Sequence, residues 1–388
     1  MTNKNNKIGI VVTFRVSAGG GAPRITIDLI NALKAAGKEV HLLTPFPFDR
    51  GIIEKFHGNF KVDKFYYPSP IKAKFCKEST SSRKIMKKEF LDLVNNVELI
   101  IDIDGGIVHD YLPENYNGNY IIWKVSCVIP ESEKFPEMKL GFRGNVKKFI
   151  KEVFSLNSPR PSKNHKIYPV DKWTAREIKA FWDLDSTEPY LYPEIKVGKF
   201  DKSEKKNQIV VFGRIAPNKF IEKSIKIFGK GTEKFKDYNL IIMGGVTPET
   251  KIYKRKLEEL INELGLRNRV KIFGDISFEK LKQILSESKV LIDSQNKVSL
   301  TMTVIEAMAA GCVPLVIRES GNYLDIINKG EFGFSFENVE EGSKKLEKIL
   351  YKLSKGEIGV NRSIRRAYDF DGEKFRKNIL KILNDNES

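Results

Sequence analysis

Apolar runs of strand length alternate with segments of helical period along most of this chain, and the pattern starts twice. KIGIVVT (7–13) leads into the glycine-rich turn SAGGGAP. RITIDLINALKAAG then repeats Ile25, Ile27, Leu29, Ile30 and Leu33 at helical spacing and closes at Gly37, a natural C-cap. EVHLLTP (39–45), VELIIDID (97–104) and NYIIWKVS (119–126) supply further strands. After the polar, lysine-rich stretch 191–207 the alternation resumes. NQIVVFGR, NLIIMGG, RVKIFGD, KVLIDS and CVPLVIR read as strands, separated by SIKIFGKGTEKF, KRKLEELINELGL, EKLKQILSES and VIEAMAAG as helices. Strands apolar on both faces and joined through helices form parallel sheets covered on both sides. The pattern predicts an α/β protein of two Rossmann-like, doubly wound domains, 1–190 and 191–368.

Length and composition agree. A chain of 388 residues exceeds one comfortable core, and 41% hydrophobic residues suffice for two. No stretch reaches the ~18–20 apolar residues of a membrane span, and the N-terminus runs from polar residues straight into a strand. Cys76, Cys127 and Cys312 are odd in number and far apart, which fits reduced thiols. The expectation is a soluble cytoplasmic protein.

The net charge of +17 points to an anionic partner, or to lysine as this chain's ordinary surface residue. One segment concentrates it. In residues 138–166, Phe142, Val146, Phe149, Ile150 and Val153 share a helical face bordered by Arg143, Lys147, Lys148 and Lys151. Arg160, Lys163, His165 and Lys166 follow. Such a helix lies either on an anionic membrane surface or against a core with a solvated basic rim. No RRM, KH or helix-turn-helix pattern accompanies the charge, so nucleic acid is not the expected partner.

Ligands of doubly wound sheets bind at the carboxyl ends of the strands. Three loops there carry suitable residues. Gly19, Gly20 and Gly21 precede a helix, whose bare amides favour an anion. FGRIAPNK offers Arg214 and Lys219, a pair suited to a diphosphate or else merely solvated. Glu306 stands near the start of the small-residue helix VIEAMAAG, where the helix dipole favours its charged form and it can accept paired hydroxyls. His41, His57, His109 and His165 show no metal spacing, and HExxH, CxxC, GxxxxGK[ST], GxGxxG and GxSxG are all missing. No metal and no cofactor are expected.

Together these motifs resemble the retaining glycosyltransferases of family four, whose architecture of two Rossmann-like domains facing across a cleft is called GT-B. GGGAPRITIDLINALKAAGKEVHLLT is similar to that family's opening loop and helix, with Pro23 in place of a usual glutamate. FGRIAPNK matches G-R-x4-K, IEAMAAGCVPLV the most specific motif, and FDGEKFRKNILKIL the last helix. The resemblance implies that residues 369–388 return to the first domain. It further implies transfer of a sugar from a nucleotide diphosphate donor to a glycan or lipid-linked acceptor, without a metal. Arg214 and Lys219 would neutralise the leaving diphosphate, helped by amides of Gly20, Gly21 and Gly213. Glu306 would hold the donor ribose, and Gly274, Asp275, Ile276 and Ser277 would meet the base.

Two departures matter. The family places an acid eight positions before Glu306; Val298 stands there, and Ser299 and Thr301 replace glycines. Contact with the donor sugar then falls to backbone at Leu300, Thr301, Met302 and Thr303. A first-domain histidine is also missing, with Lys124 and Ser126 in its place. The acceptor-side candidates are accordingly Arg15, His109, Lys124 and Ser126. AMAAGCVPLVIRESGNYLDII and LYPEI look nearest to transferases that extend lipid-linked oligosaccharides, and with segment 138–166 they imply peripheral contact with the cytoplasmic membrane face.

Overall fold

The computed structural model describes residues 6–14, 16, 20–46, 50–68, 81–104, 119–126, 128, 161, 163–200 and 203–387. It divides into two compact units. The first comprises Met1–Val170, Thr174–Pro193 and Phe375–Ser388, and the second Asp171–Trp173 and Glu194–Lys374.

In the first unit, β1 (Lys7–Val11), β2 (Glu39–Leu43), β3 (Lys64–Tyr66), β4 (Leu99–Ile103), β5 (Asn119–Lys124) and β6 (Lys166–Pro169) form a sheet of order β3-β2-β1-β4-β5-β6. Every pairing is parallel, with Ile10 facing Leu42 on one side and Ile101 on the other. Residues of β1 and β4 past Lys7 are buried on both faces, as continuous apolar runs require. Helix α1 (Gly21–Ala35) follows β1, and its apolar stripe includes Ile27, Ile30 and Leu33. It ends at Ala36, with Gly37 at φ +76°, where a left-handed backbone suits glycine. Further helices are α2 (Arg50–His57), α3 (Ser81–Val94) and α4 (Lys172–Glu177). Phe90 and Met86 of α3 pack onto Tyr120, Ile122 and Ile167 of the sheet.

In the second unit, β7 (Gln208–Phe212), β8 (Asn239–Gly244), β9 (Val270–Gly274), β10 (Val290–Asp293), β11 (Val313–Ile317) and β12 (Phe334–Phe336) take the order β12-β11-β10-β7-β8-β9, again all parallel. Numbered from its own first strand, this is the topology of the first unit. The helices are α5 (Ile221–Gly231), α6 (Lys251–Glu263), α7 (Phe278–Glu287), α8 (Met302–Ala309), α9 (Val339–Ser354) and α10 (Asn361–Ala367). Phe228 and Phe336 are fully buried in its core, each such ring contributing roughly 1.5–3 kcal/mol. The Lys205 ammonium donates to Ser288 O (2.7 Å) and Ala310 O (2.6 Å), capping the chain just past α7 and α8 at once.

The last helix, α11 (Gly372–Glu387), belongs to the first unit from Phe375 onward. The Phe375 ring lies 5.6 Å from that of Trp123. Lys166 Nζ donates to Asn386 Oδ1 at 2.8 Å and to Asp385 O at 3.2 Å. This corrects one sequence expectation: Lys166 opens strand β6 and is held by the last helix, so it does not extend a free basic segment. His165 likewise packs its ring 5.1 Å from Tyr120. The amphipathic stretch 138–154 lies outside the described residues. No described helix is long and apolar enough to cross a membrane.

Candidate functional site

All strands of the second sheet point the same way, so the loops after β7, β8, β9 and β10 emerge at one edge. The first turns on glycine. Gly213 has φ +148° and Gly244, at the end of the neighbouring strand, has φ +155°. A side chain on Gly244 would put its Cβ 1.8 Å from the Gly213 carbonyl oxygen, so the two strand ends approach closely only as glycines. Gly213 N–H donates to Met243 O at 3.1 Å. The chain past Gly213 then presents Arg214 exposed to solvent, while Lys219 folds back half-buried. A Cβ on Gly213 would lie 3.6 Å from the Lys219 chain.

Lys219 joins this loop to the one after β10, donating to Gln295 Oε1. Beneath it lies Asp293, the last residue of β10. Its Oδ1 accepts from Gln295 N–H (2.8 Å), and its Oδ2 from Asn322 Nδ2 (2.9 Å) and Thr301 Oγ1 (3.2 Å). Loss of water pushes this carboxyl above the ordinary carboxylate range, against the pull of the Lys219 charge and its donors. Asp293, Gln295 and Asn322 were not singled out from sequence. An acid closing an otherwise apolar strand, VLID, was the available signal.

The loop from 294 to 301 differs from expectation in a specific way. Leu300 N–H donates to Asp171, a fully buried carboxylate, and Thr301 N–H donates to Asn322 Oδ1 at 2.7 Å. Both amides were expected to meet a sugar, and both are already engaged inside the unit. Met302 and Thr303, in the first turn of α8, are the remaining backbone donors of that set; the Thr303 hydroxyl lies 3.4 Å from Thr301 Oγ1. Gly321 closes the same corner: a Cβ there would meet Asp171 Oδ2 at 2.0 Å. Val298 pairs with Ser320 in a parallel bridge, and its carbonyl accepts from Gly321 N–H at 2.8 Å.

Glu306 is half-buried on α8. The helix begins at Met302, so Glu306 is past its first turn, where the dipole has largely faded. The helix dipole therefore contributes little at Glu306, contrary to the expectation from sequence. Gly274 ends β9, and the loop after it carries Asp275 at φ +50°, Ile276 and Ser277. Asp275 Oδ1 accepts from Val246 N–H at 3.3 Å, and Ser277 caps α7 by accepting from Lys280 N–H at 3.2 Å.

In the first unit, Gly20 has φ +130° and is exposed directly before α1, which begins at Gly21 without a capping side chain. Lys124 and Ser126 come together at the ends of β4 and β5, around a residue that sequence had not marked. Asp104, at φ +69°, receives Lys124 Nζ at 2.8 Å, Ser126 N–H at 2.9 Å and the Ser126 hydroxyl at 2.6 Å. Lys124 is only 6% exposed and its ammonium also lies 5.9 Å from the Trp182 ring centre. Its charge is thus committed to Asp104, whose carboxylate keeps more of its surface open. Arg15 and His109 lie outside the described residues. Among the described residues no cluster of three or more His, Cys, Asp or Glu is assembled to hold a metal.

Comparison with known proteins supplies the context for this edge. Residues 194–364 match the family model "Glycosyl transferases group 1". A GDP-Man:Man(3)GlcNAc(2)-PP-Dol alpha-1,2-mannosyltransferase from Xenopus tropicalis is 28% identical over 225 residues, covering 54% of this chain and 46% of that protein. The chain thus spans about half the length of the mannosyltransferases it matches. A trehalose synthase from Pyrococcus horikoshii is 25% identical over 95% of this chain and 88% of its own. Among solved structures, a sucrose-phosphate synthase from Thermosynechococcus elongatus superimposes with a TM-score of 0.72 at 16% identity, covering 98% of this chain and 99% of that one. The two six-stranded parallel sheets are a GT-B fold, and Arg214, Lys219, Asp293 and Glu306 all lie within the residues that match the glycosyl transferases group 1 model.

Proposed function

We propose that the chain is a glycosyltransferase that moves a hexosyl group from a nucleotide diphosphate sugar to a glycan or lipid-linked acceptor, with retained configuration and without a metal. The observation that carries this reading is the junction of two loops at one sheet edge, where Lys219 bridges from the Gly213–Arg214 turn to Gln295 above Asp293. As the glycosidic bond breaks, negative charge gathers on the departing diphosphate. Arg214 and Lys219 neutralise it, the electrostatic contribution that dominates in such displacements. Gly20 and Gly21 add backbone donors. Glu306 accepts the donor's ribose hydroxyls, the loop 274–277 meets the base, and the amides of Met302 and Thr303 reach the sugar. On the acceptor side, Asp104 of the Lys124–Ser126–Asp104 group is half-buried with part of its carboxylate open, and it orients an acceptor hydroxyl. The names of the mannosyltransferase relatives support a lipid-linked acceptor, and the basic face of 138–154 supports work at a membrane surface.

The test is a thermal-shift screen against UDP-, GDP- and ADP-sugars, followed by transfer assays with and without a chelator. One donor should raise the melting temperature of the native chain and support transfer that the chelator leaves unchanged. Arg214→Ala and Glu306→Ala should each weaken that donor by about 2 kcal/mol, roughly thirtyfold. Silence toward every donor, in both assays, would sink the proposal. Val298 favours a second reading, since an apolar side chain stands where an acid is expected to grip the sugar. Donor binding without any transfer would identify a sugar-nucleotide-binding partner subunit instead.

A further inference from the structure

A second basic site lies at the other edge of the second sheet. Phe332 stands two residues before β12, which starts opposite Leu315 of β11, so its loop belongs to the amino edge. Helix α10 packs beside α8, with Val360 Cβ 3.4 Å from where a Cβ on Gly311 would stand, just before β11. Together they line a cavity of about 510 Å³ formed by Phe332, Arg362, Arg365, Arg366 and Asp369.

The arginines here are arranged, not scattered. Arg362 and Arg366 are four apart on one helix, and both set their guanidinium over the same Phe332 ring, at 5.5 and 4.9 Å from its centre. Arg366 is the fixed member: its Nε donates to Ile326 O at 2.9 Å, its Nη1 to Asp369 Oδ2 at 2.6 Å, and its Nη2 to Asp325 O. Arg362 and Arg365 are exposed and have no carboxylate partner among the described residues. Like charges at helical spacing repel one another by a few tenths of a kcal/mol per pair. The helix dipole assists Arg365 and Arg366 in the last turn, but it opposes Arg362 in the first. Three guanidiniums against one carboxylate leave two positive charges, the complement of a phosphate dianion. Planar guanidiniums stacked on a ring offer their forked donors to its oxygens.

We infer that Arg362, Arg365 and Arg366 form a binding site for a phosphate group, at the sheet edge opposite Arg214 and Lys219. The phosphate is carried either by a soluble phosphomonoester or by a phosphomonoester lipid headgroup. Calorimetric titration with inorganic phosphate at constant ionic strength tests the site, in an Arg214→Ala/Lys219→Ala background that silences the other edge. One equivalent should bind, and adding Arg362→Ala/Arg365→Ala should weaken it at least tenfold while leaving the melting temperature in chloride unchanged. Arg366 stays intact because it holds two backbone carbonyls. Equal phosphate affinity with and without the two arginines overturns the inference, as does an equal response to chloride. Flotation with phosphatidylcholine vesicles containing phosphatidate then separates the sources. Flotation lost in Arg362→Ala/Arg365→Ala identifies a lipid-borne phosphate, and phosphate binding without such flotation identifies a soluble one.

Discussion

The two units share one sheet topology yet place cations very differently at their carboxyl edges. In the first, Lys124 ends a strand, is nearly buried, and gives its charge to Asp104 at 2.8 Å. In the second, Lys219 stands beyond the strand on a loop, half-buried, donating to the Gln295 amide oxygen and acting through its charge on Asp293, and Arg214 of the same loop is exposed. A buried ammonium must be paired or the unit loses stability. The same scaffold thus supports a cation paired with a carboxylate at the strand end of one unit and a cation held by an amide on a loop of the other.

Exchanging the roles is the way to break this comparison. Lys219→Ala should lower turnover by about 10²–10³-fold, roughly 3–4 kcal/mol, because it removes charge stabilisation from the transition state. Its melting temperature should move little, and a large loss of stability without a kinetic defect would erase the distinction. Asp104→Ala should instead destabilise the fold by roughly 2–3 kcal/mol in urea titrations, since it strands the Lys124 ammonium in a buried site. An unchanged midpoint would show that Lys124 finds water.

The smallest effect sharpens the picture at Asp293. Its folded-state carboxyl lies above the ordinary 3.8, so the folded chain keeps a proton that the unfolded chain has released. The stability this contributes is complete below 3.8 and is lost as pH rises through the raised value. Asp293→Asn should flatten the stability–pH curve across that window. Identical slopes in the native chain and the variant would mean that Lys219 already holds Asp293 charged.

Much of the fold was legible in residues alone. IVV, LIID and IIMG are apolar on both faces, and only a covered parallel strand uses such a run. Short edge elements were not legible. The sequence reading passed over β3 and β12, three residues each, because so short a run carries no period. The basic segment 138–166 also took in Lys166, which pairs with Ile121 as the first residue of β6 and whose ammonium is held 220 positions away by Asn386. The candidate residues were legible in their motifs, and the groups that surround them were not. Arg214, Lys219 and Glu306 stand out by type and spacing. Asp171, Asp293 and Asn322 do not, since each acts through partners that are distant in sequence.

Residue pattern alone settled the class of fold and the residue types offered at the carboxyl edges of its sheets. Local periodicity and glycine placement are short-range properties, and the chain carries them in full view. The tertiary structure decided which offered groups remain open. Burial committed Lys124 to Asp104, turned the amides of Leu300 and Thr301 inward to Asp171 and Asn322, and gathered three arginines at the far edge. Whether a charge or an amide is spent or available depends on what water can reach, and only the packed chain fixes that.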